Sequence, residues 1–327
     1  MAFDMGSAVG YLDLDVDGFR SGVQSAWADF KTFMDETATA GDKFQAAGKI
    51  MTNAGSALTL GVTTPLIGAG TAAVNLGNEF EAQMSRVQAT LGLTKDEMGS
   101  LHDQALQLGA DTAFSASEAA DGMENLASAG FNANQIMSAI PGVLDLAAAS
   151  GASVGDSAAY AAGTLNIFQL EASQASHVAD VYAQVAADTN AQTEDLGEAM
   201  KYIGPVANSM GMSMEEAAAA VGVLSNANIL GSQAGTTLRS ALSSMAKPSE
   251  EASDLMDQLG LSFYDAEGNM KGFSTIIGEM QTTLSGLTQE QRDNALVTIF
   301  GQEALSGLQV LMAAGKDELD QMTYGLE

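Results

Sequence analysis

The 327 residues contain no cysteine, which excludes disulfide staples, thiolate nucleophiles and cysteine-ligated metals and leaves the redox compartment open. Proline is nearly as scarce, with 4 residues against 35 glycines. Few prolines leave helices uninterrupted, and glycines with alanine runs such as Ala217 to Ala220 let helices pack closely through small side chains. Aromatic residues make up 6% of the chain, so each local core is expected to be thin. Positive charge is the next shortage: 12 Lys and Arg stand against 41 Asp and Glu, for a net charge of −29, and none falls between Lys95 and Lys201. Such a surface repels phosphate backbones, so no specific nucleic-acid binding is expected. The start, MAFDMGSAVGYLDLD, lacks a basic region and a sustained apolar core, so it does not read as a signal peptide.

Catalytic patterns are equally sparse. The two histidines, His102 and His177, are far apart and neither has a partner at the i+4 spacing of helical zinc sites. There is no Walker loop and no G-x-G-x-x-G, and no cofactor is expected. Ser244 to Lys247 fits S-x-x-K, but no S-D-N or K-T-G follows. Glu118, Asp121 and Glu124, like Glu194, Asp195 and Glu198, cluster near helix starts, where the helix dipole favours carboxylates on a solvated face. The expectation is a protein without an active site or metal centre. The 18 methionines read as adaptable packing.

What is present is helical pattern. The stretch YLDLDVDGFRSG begins like a calcium loop at Asp13, Asp15, Asp17 and Gly18, but the twelfth position is Gln24, where a bidentate glutamate is needed. The period-two alternation of Leu12, Leu14 and Val16 predicts a short strand turning at Gly18 into an amphipathic helix carrying Phe19, Val23, Trp27, Phe30 and Met34. From Ile50 to Asn78 no residue is charged. That stretch exceeds the roughly 20 apolar residues a membrane span needs, with Leu58, Leu60, Val62, Pro65, Leu66, Ile67, Val74 and Leu76 as its candidate insertion residues. Its threonines, glycines and Pro65 lower the average hydrophobicity, so a buried or partner-facing helix pair broken near Pro65 stands beside a span.

Beyond Glu79 the spacing predicts regular helices. Capping boxes are expected at Thr94/Glu97, Ser115/Glu118, Ser213/Glu216 and Thr288/Gln291. Helix starts at Ser115, Ser153 and Thr193 are followed by breaks at Phe131, Leu170 and Met212 and second helices from Gln135, Gln174 and Glu215. This is a period of about 40 residues, which suits stacked helical hairpins. Near 261–273, Leu261 and Phe263 alternate with polar residues before the turn Asp265 to Asn269, predicting a small β-hairpin. The fold class is therefore mainly α: an elongated array of amphipathic helices and helical hairpins with a short N-terminal strand and one small β-hairpin. Four parts are expected: strand and amphipathic helix at 1–41, apolar Gly-rich helical segment at 42–92, acidic hairpin array at 93–250, and hairpin with C-terminal helices at 251–327.

Some segments carry more than pattern. Thr63 to Gly70 reads T-x-P-L-x-G-x-G and Phe80 to Gln88 reads F-E-x-Q-M-S-x-V-Q, with Phe80, Glu81, Met84 and Val87 as its motif residues. With LGADTAFSASEAADGMENLASAGF, FYDAEGNMKGF and IFGQEALSGLQVLMAAG, these stretches resemble the core region of phage tail tape-measure proteins, over nearly all of residues 42–323. YLDLDVDGF resembles the opening strand of many such proteins, favouring the strand over the calcium loop. The resemblance implies a virion structural protein that sets tail length from within the tail-tube lumen and is ejected ahead of the DNA. Its implied partners are the tail tube protein, tail assembly chaperones in the bacterial cytoplasm, further copies of itself, and the host membrane on ejection, which residues 50–78 would meet. Members are usually much longer, so the chain reads as truncated. The alternative is a membrane-active helical protein inserting through residues 50–78.

Overall fold

A computed structural model describes residues 79–95 and 97–327. The expected N-terminal strand, the helix from Phe19 and the apolar stretch 50–78 lie outside the described residues. The chain divides into units Met1–Glu79 and Phe80–Glu327, and the second is the subject here.

Helix α1 (79–91) is followed by α2 (Gly99–Asp111), and four hairpin positions then repeat: α3 (Ala116–Ser128) with α4 (Ala133–Ser150), α5 (Val154–Ile167) with α6 (Ala175–Asp188), α7 (Thr193–Ser209) with α8 (Met214–Asn226), and α9 (Gly231–Ala246) alone. The first helices of these units have N-caps at Ser115, Ser153, Gln192 and Leu230, so the units are spaced 38 or 39 residues apart. The expected period is thus present. The remaining helices are α10 (Glu250–Leu259), α11 (Phe273–Leu284), α12 (Gln289–Phe300) and α13 (Gln302–Leu326).

Local chemistry sets these boundaries. Reciprocal capping boxes open α3, α8 and α12 at Ser115/Glu118, Ser213/Glu216 and Thr288/Gln291, as the sequence predicts. Three further boxes use Asn132/Gln135, Glu171/Gln174 and Gln192/Asp195, outside the S/T-x-x-E/Q form. Thr94 and Glu97 do bond to each other, but α2 starts later, at Gly99, so this pair closes a preceding turn and does not cap the helix. Left-handed glycines end helices at Gly151 and Gly260, where a side chain would be strained.

The helices form two layers by contacts between alternate elements. In one, α3, α5, α7 and α9 pack in sequence; in the other, α4, α6 and α8 do so, and α13 takes the next place against α8. Small residues make the approach possible. A Cβ on Gly142 of α4 would overlap the backbone of Ala175 and Ser176 at the start of α6, and one on Gly235 of α9 would lie 2.5 Å from the Ala199 carbonyl of α7. All four of Ala217 to Ala220 are fully buried. The core is therefore a continuous seam of alanine, leucine, valine and methionine, with few large rings.

Pro141 sits inside α4 and lacks the N–H that would bond to the Met137 carbonyl. The Gln104 side-chain amide donates to that carbonyl instead, at 2.9 Å, tying α2 to α4.

The β-hairpin expected near 261–273 does not form as two strands. A single antiparallel bridge joins Tyr264 to Met270, and Lys271 N–H donates to the Phe263 carbonyl. Asp265 explains the difference: its carboxylate accepts the N–H groups of Glu267 and Asn269, winding the chain into a tight turn. Phe263 is then buried against Phe300 and does not extend a ladder, with ring centroids 5.6 Å apart. No strand is present among the described residues.

Among the described residues no single helix is long and apolar enough to cross a membrane. The bent pair α4 and α5 passes on composition and length, but buried residues such as Ile140, Leu146, Ala161 and Leu165 belong to the array core.

Candidate functional site

The signature residues come together on α1 as a docking face. Phe80, Met84 and Val87 fall at i, i+4 and i+7, and all three are buried in the core of the array. Polar neighbours fix the helix from both sides. Exposed Glu81 reaches His102 on α2, with Oε1 3.2 Å from Nε2, and the Phe80 ring stands 5.0 Å from the same imidazole. Arg86 donates through Nε to both carboxylate oxygens of Glu124 on α3, at 2.8 and 3.0 Å. Gln88 donates to the Leu93 carbonyl where the chain turns toward α2. The F-E-x-Q-M-S-x-V-Q stretch therefore anchors α1 to the first helices of the array. The insertion residues Leu58, Leu60, Val62, Pro65, Leu66, Ile67, Val74 and Leu76 lie outside the described residues.

The residues considered for chemistry each make contacts within the array. His177 on α6 pairs with Glu215 on α8, Nε2 to Oε1 at 2.7 Å, joining neighbours within one layer. Burial opposes ionisation of Glu215, but hydrogen bonds from His177, its own backbone and Ser213 outweigh it and hold the carboxyl below its ordinary value. Ser244 Oγ donates weakly to the Phe300 carbonyl, and Lys247 is an exposed C-cap beyond the end of α9, so the S-x-x-K pair spans a helix terminus. Gly151 to Gly155 also spell G-x-S-x-G, a form absent from the expectations above. Ser153 is the N-cap of α5, accepting from Asp156 N–H, and its hydroxyl donates to the Asp156 carboxylate at 2.6 Å. No group of three or more His, Asp or Glu is arranged to hold a metal among the described residues.

The two acidic clusters divide by environment. Glu118 is lowered by the backbone and hydroxyl of Ser115, which it caps. Glu124 is neutralised by Arg86. Asp121 is raised, by burial first and then by the charges of Glu124 and Asp156, with Arg86 offsetting part. The sign follows: a carboxyl raised on folding costs stability at neutral pH, and that cost vanishes as pH falls below its ordinary value of 3.8. Asp121→Asn should therefore raise stability at pH 7 by about 0.5 kcal/mol, an advantage that thermal melts should show shrinking toward pH 3.5. An equal or larger advantage at acid pH would contradict this assignment. In the second cluster, Glu198 pairs with Lys201, whose ammonium lies 5.3 Å from the Tyr160 ring centroid, while Asp195 caps Gln192.

The described residues thus form a repeating helical array led by an anchored signature helix. The phage-related minor tail protein family matches residues 102–301, and the chain belongs to this family. Among curated relatives, the tape measure protein of Pneumococcus phage Dp-1 is 52% identical over 323 residues, covering 99% of this chain and 28% of that protein. The probable tape measure protein of Escherichia phage P2 is 37% identical over 288 residues, covering 86% of this chain and 35% of its own length. A third, the probable tape measure protein of Clostridium phage phiCD119, is 24% identical over 202 residues, covering 60% of this chain and 21% of its own. The chain thus spans about a third or less of the length of the relatives it matches. No solved structure matches it.

Proposed function

We propose that this chain is the core region of a tail tape measure, a structural ruler inside the tail tube that sets tail length during assembly and leaves with the genome. The observation that carries the reading is the even unit of the array: N-caps every 38 or 39 residues, within a region matched by the minor tail protein family. Every unit is helix nearly throughout. Opened into a continuous helix, each would span about 58 Å at 1.5 Å per residue.

The partners that follow are the tail tube protein around the ruler, assembly chaperones before it enters the tube, and other copies in the same lumen. Residues 50–78, with Leu66 and Ile67 at their centre, are the part we assign to the host membrane on ejection. The four-part division at 41, 92 and 250 is retained as the working organisation of the chain.

The test is an in-frame deletion of residues 153–191 within the complete protein of the parent phage. Because Ser153 and Gln192 are equivalent N-caps, the deletion rejoins the array in register. Electron microscopy should show tails shortened by about 60 Å. Tails of unchanged length would reject a ruler role for this segment.

A further inference from the structure

Helix α13 is broken at Gly315, whose φ of 80° and ψ of −178° no side-chain-bearing residue adopts readily. The sequence gives no other reason to stop there: Leu311, Met312, Ala313 and Ala314 precede the glycine, and Lys316, Asp317, Glu318 and Leu319 follow, all compatible with helix. The break is held open by polar groups of α11. The Gln281 amide donates to the Met312 carbonyl at 2.9 Å, taking the acceptor that Lys316 N–H would use in an unbroken helix. The same Gln281 side chain occupies the space beside Gly315, where a Cβ would lie 3.1 Å from its Oε1. Lys316 Nζ donates to Ser274 and Thr275 at 3.3 and 3.4 Å and pairs with Asp320 at 2.6 Å, yet its side chain remains 44% exposed.

Packing on the two sides of the break differs. Before it, Gly307 sits against Thr237 of α9 and Leu224 of α8. After it, Met322 converges with Val185 of α6 and Thr189, the C-cap of that helix, on Gly222 of α8. Beside the break itself, an open cleft of about 430 Å³ is lined by Thr275, Gly278, Gln281, Thr282 and Lys316.

We infer that Gly315 is a two-state joint: residues 316–326 are latched against α11, α6 and α8 in the broken state and swing away when α13 closes into one continuous helix. The latch is polar and partly wetted, so water competes for each of its bonds, and the cleft gives the Gln281 side chain room to leave the Met312 carbonyl as the joint straightens. Closing the helix recovers the backbone bonds lost at Gly315 and uncovers Leu319, Met322 and Leu326, which sets the docked state as the more populated one. The joint rests on the fold alone, independent of any role in tail length.

The absence of cysteine permits a direct test on the isolated chain. Spin labels at Asp188→Cys and Tyr324→Cys, both exposed, report the separation of α6 from the end of α13 by pulsed electron resonance. The parent chain should give a dominant short distance and a minor longer one, because the swinging arm is about 16 Å long. Lys316→Met should raise the longer population about threefold, the effect of losing the partly exposed hydrogen bonds from Lys316 to Ser274 and Thr275 of α11. Gly315→Ala should make it dominant, since alanine disfavours the broken backbone and favours helix. A single short distance in the parent chain that Lys316→Met leaves unchanged would overturn the joint, and that result holds even if Gly315→Ala fails to fold. Hydrogen exchange in α3, α4, α5, α7 and α9, which the arm does not cover, should be unchanged in Lys316→Met; loss of protection there would mean general loosening and would also overturn it.

Discussion

Gly142→Val should cost the array more than 3 kcal/mol, enough to remove a large part of the stability of an ordinary domain. The size follows from what the new atoms meet. A Cβ on Gly142 would overlap the N–H and carbonyl carbon of the Ala175–Ser176 peptide, and backbone cannot rotate aside as a side chain can. Helices α4 and α6 would have to separate along a seam that also buries Ile140, Val143 and Val178. Overpacking of such a site costs about 1–3 kcal/mol even where neighbours can yield, and a β-branched residue in a helix adds to it. Gly163 in α5 is the control. Nothing lies within 4 Å of a Cβ placed there, so Gly163→Ala should stabilise by about 0.5–1 kcal/mol through helix propensity and a less flexible unfolded chain. Urea unfolding followed by circular dichroism at 222 nm separates the two. Equal midpoints for Gly142→Val and the parent would mean that α4 and α6 do not approach through this glycine.

Tyr182→Ala should be nearly as costly, about 3–5 kcal/mol. Tyr182 is fully buried on α6, and its hydroxyl lies 2.7 Å from Thr164 Oγ1 on α5, also buried. Burial pushes the phenol well above its ordinary value, with the Thr164 hydrogen bond opposing, so the ring stays neutral throughout the working pH range. Ring and hydroxyl contribute separately. Tyr182→Phe keeps the volume and should cost about 1–2 kcal/mol, because it leaves the Thr164 hydroxyl buried without its partner. Adding Thr164→Val to Tyr182→Phe should recover part of that loss. A double variant as unstable as the sum of the two singles would show that the hydroxyls do not interact in the folded chain.

The sequence made the helical repeat legible for a definite reason. Ser115, Ser153 and Ser213 precede runs with apolar residues at helical spacing, so hydroxyl caps and hydrophobic period coincide. The boundaries it missed depend on residues with weaker rules: Asn132 caps α4, which starts at Ala133 ahead of the expected Gln135, and α2 starts five residues after Thr94. The hairpin was misread because alternation at Leu261 and Phe263 is shared by strands and by residues dropping into a helical core. The Asp265 carboxylate decides between them through bonds that alternation does not encode. The signature Phe80 to Gln88 was legible as a motif, whereas its anchoring role needed His102 and Glu124, which lie 21 and 38 residues from their partners. The order of layers was not readable either, because contacts between alternate helices depend on where Gly142 and Gly235 bring backbones together.

The place of α13 has a mechanical consequence. Chain order and stacking order agree along α4, α6 and α8, and then the last helix in sequence occupies the position after α8. A strand of beads strung this way comes apart in a fixed order from its far end. Traction on the C-terminal side removes α13 before any hairpin can peel, and its departure bares the face of α8 that carries Gly222, whose Cβ position lies 3.0 Å from Met322. Traction from the other end meets α1 first, fastened by Phe80, Met84 and Val87 and by the pairs to His102 and Glu124. The array is thus bolted at both ends by helices outside its repeat, and a pull from either side must draw a bolt before it reaches the even units between them.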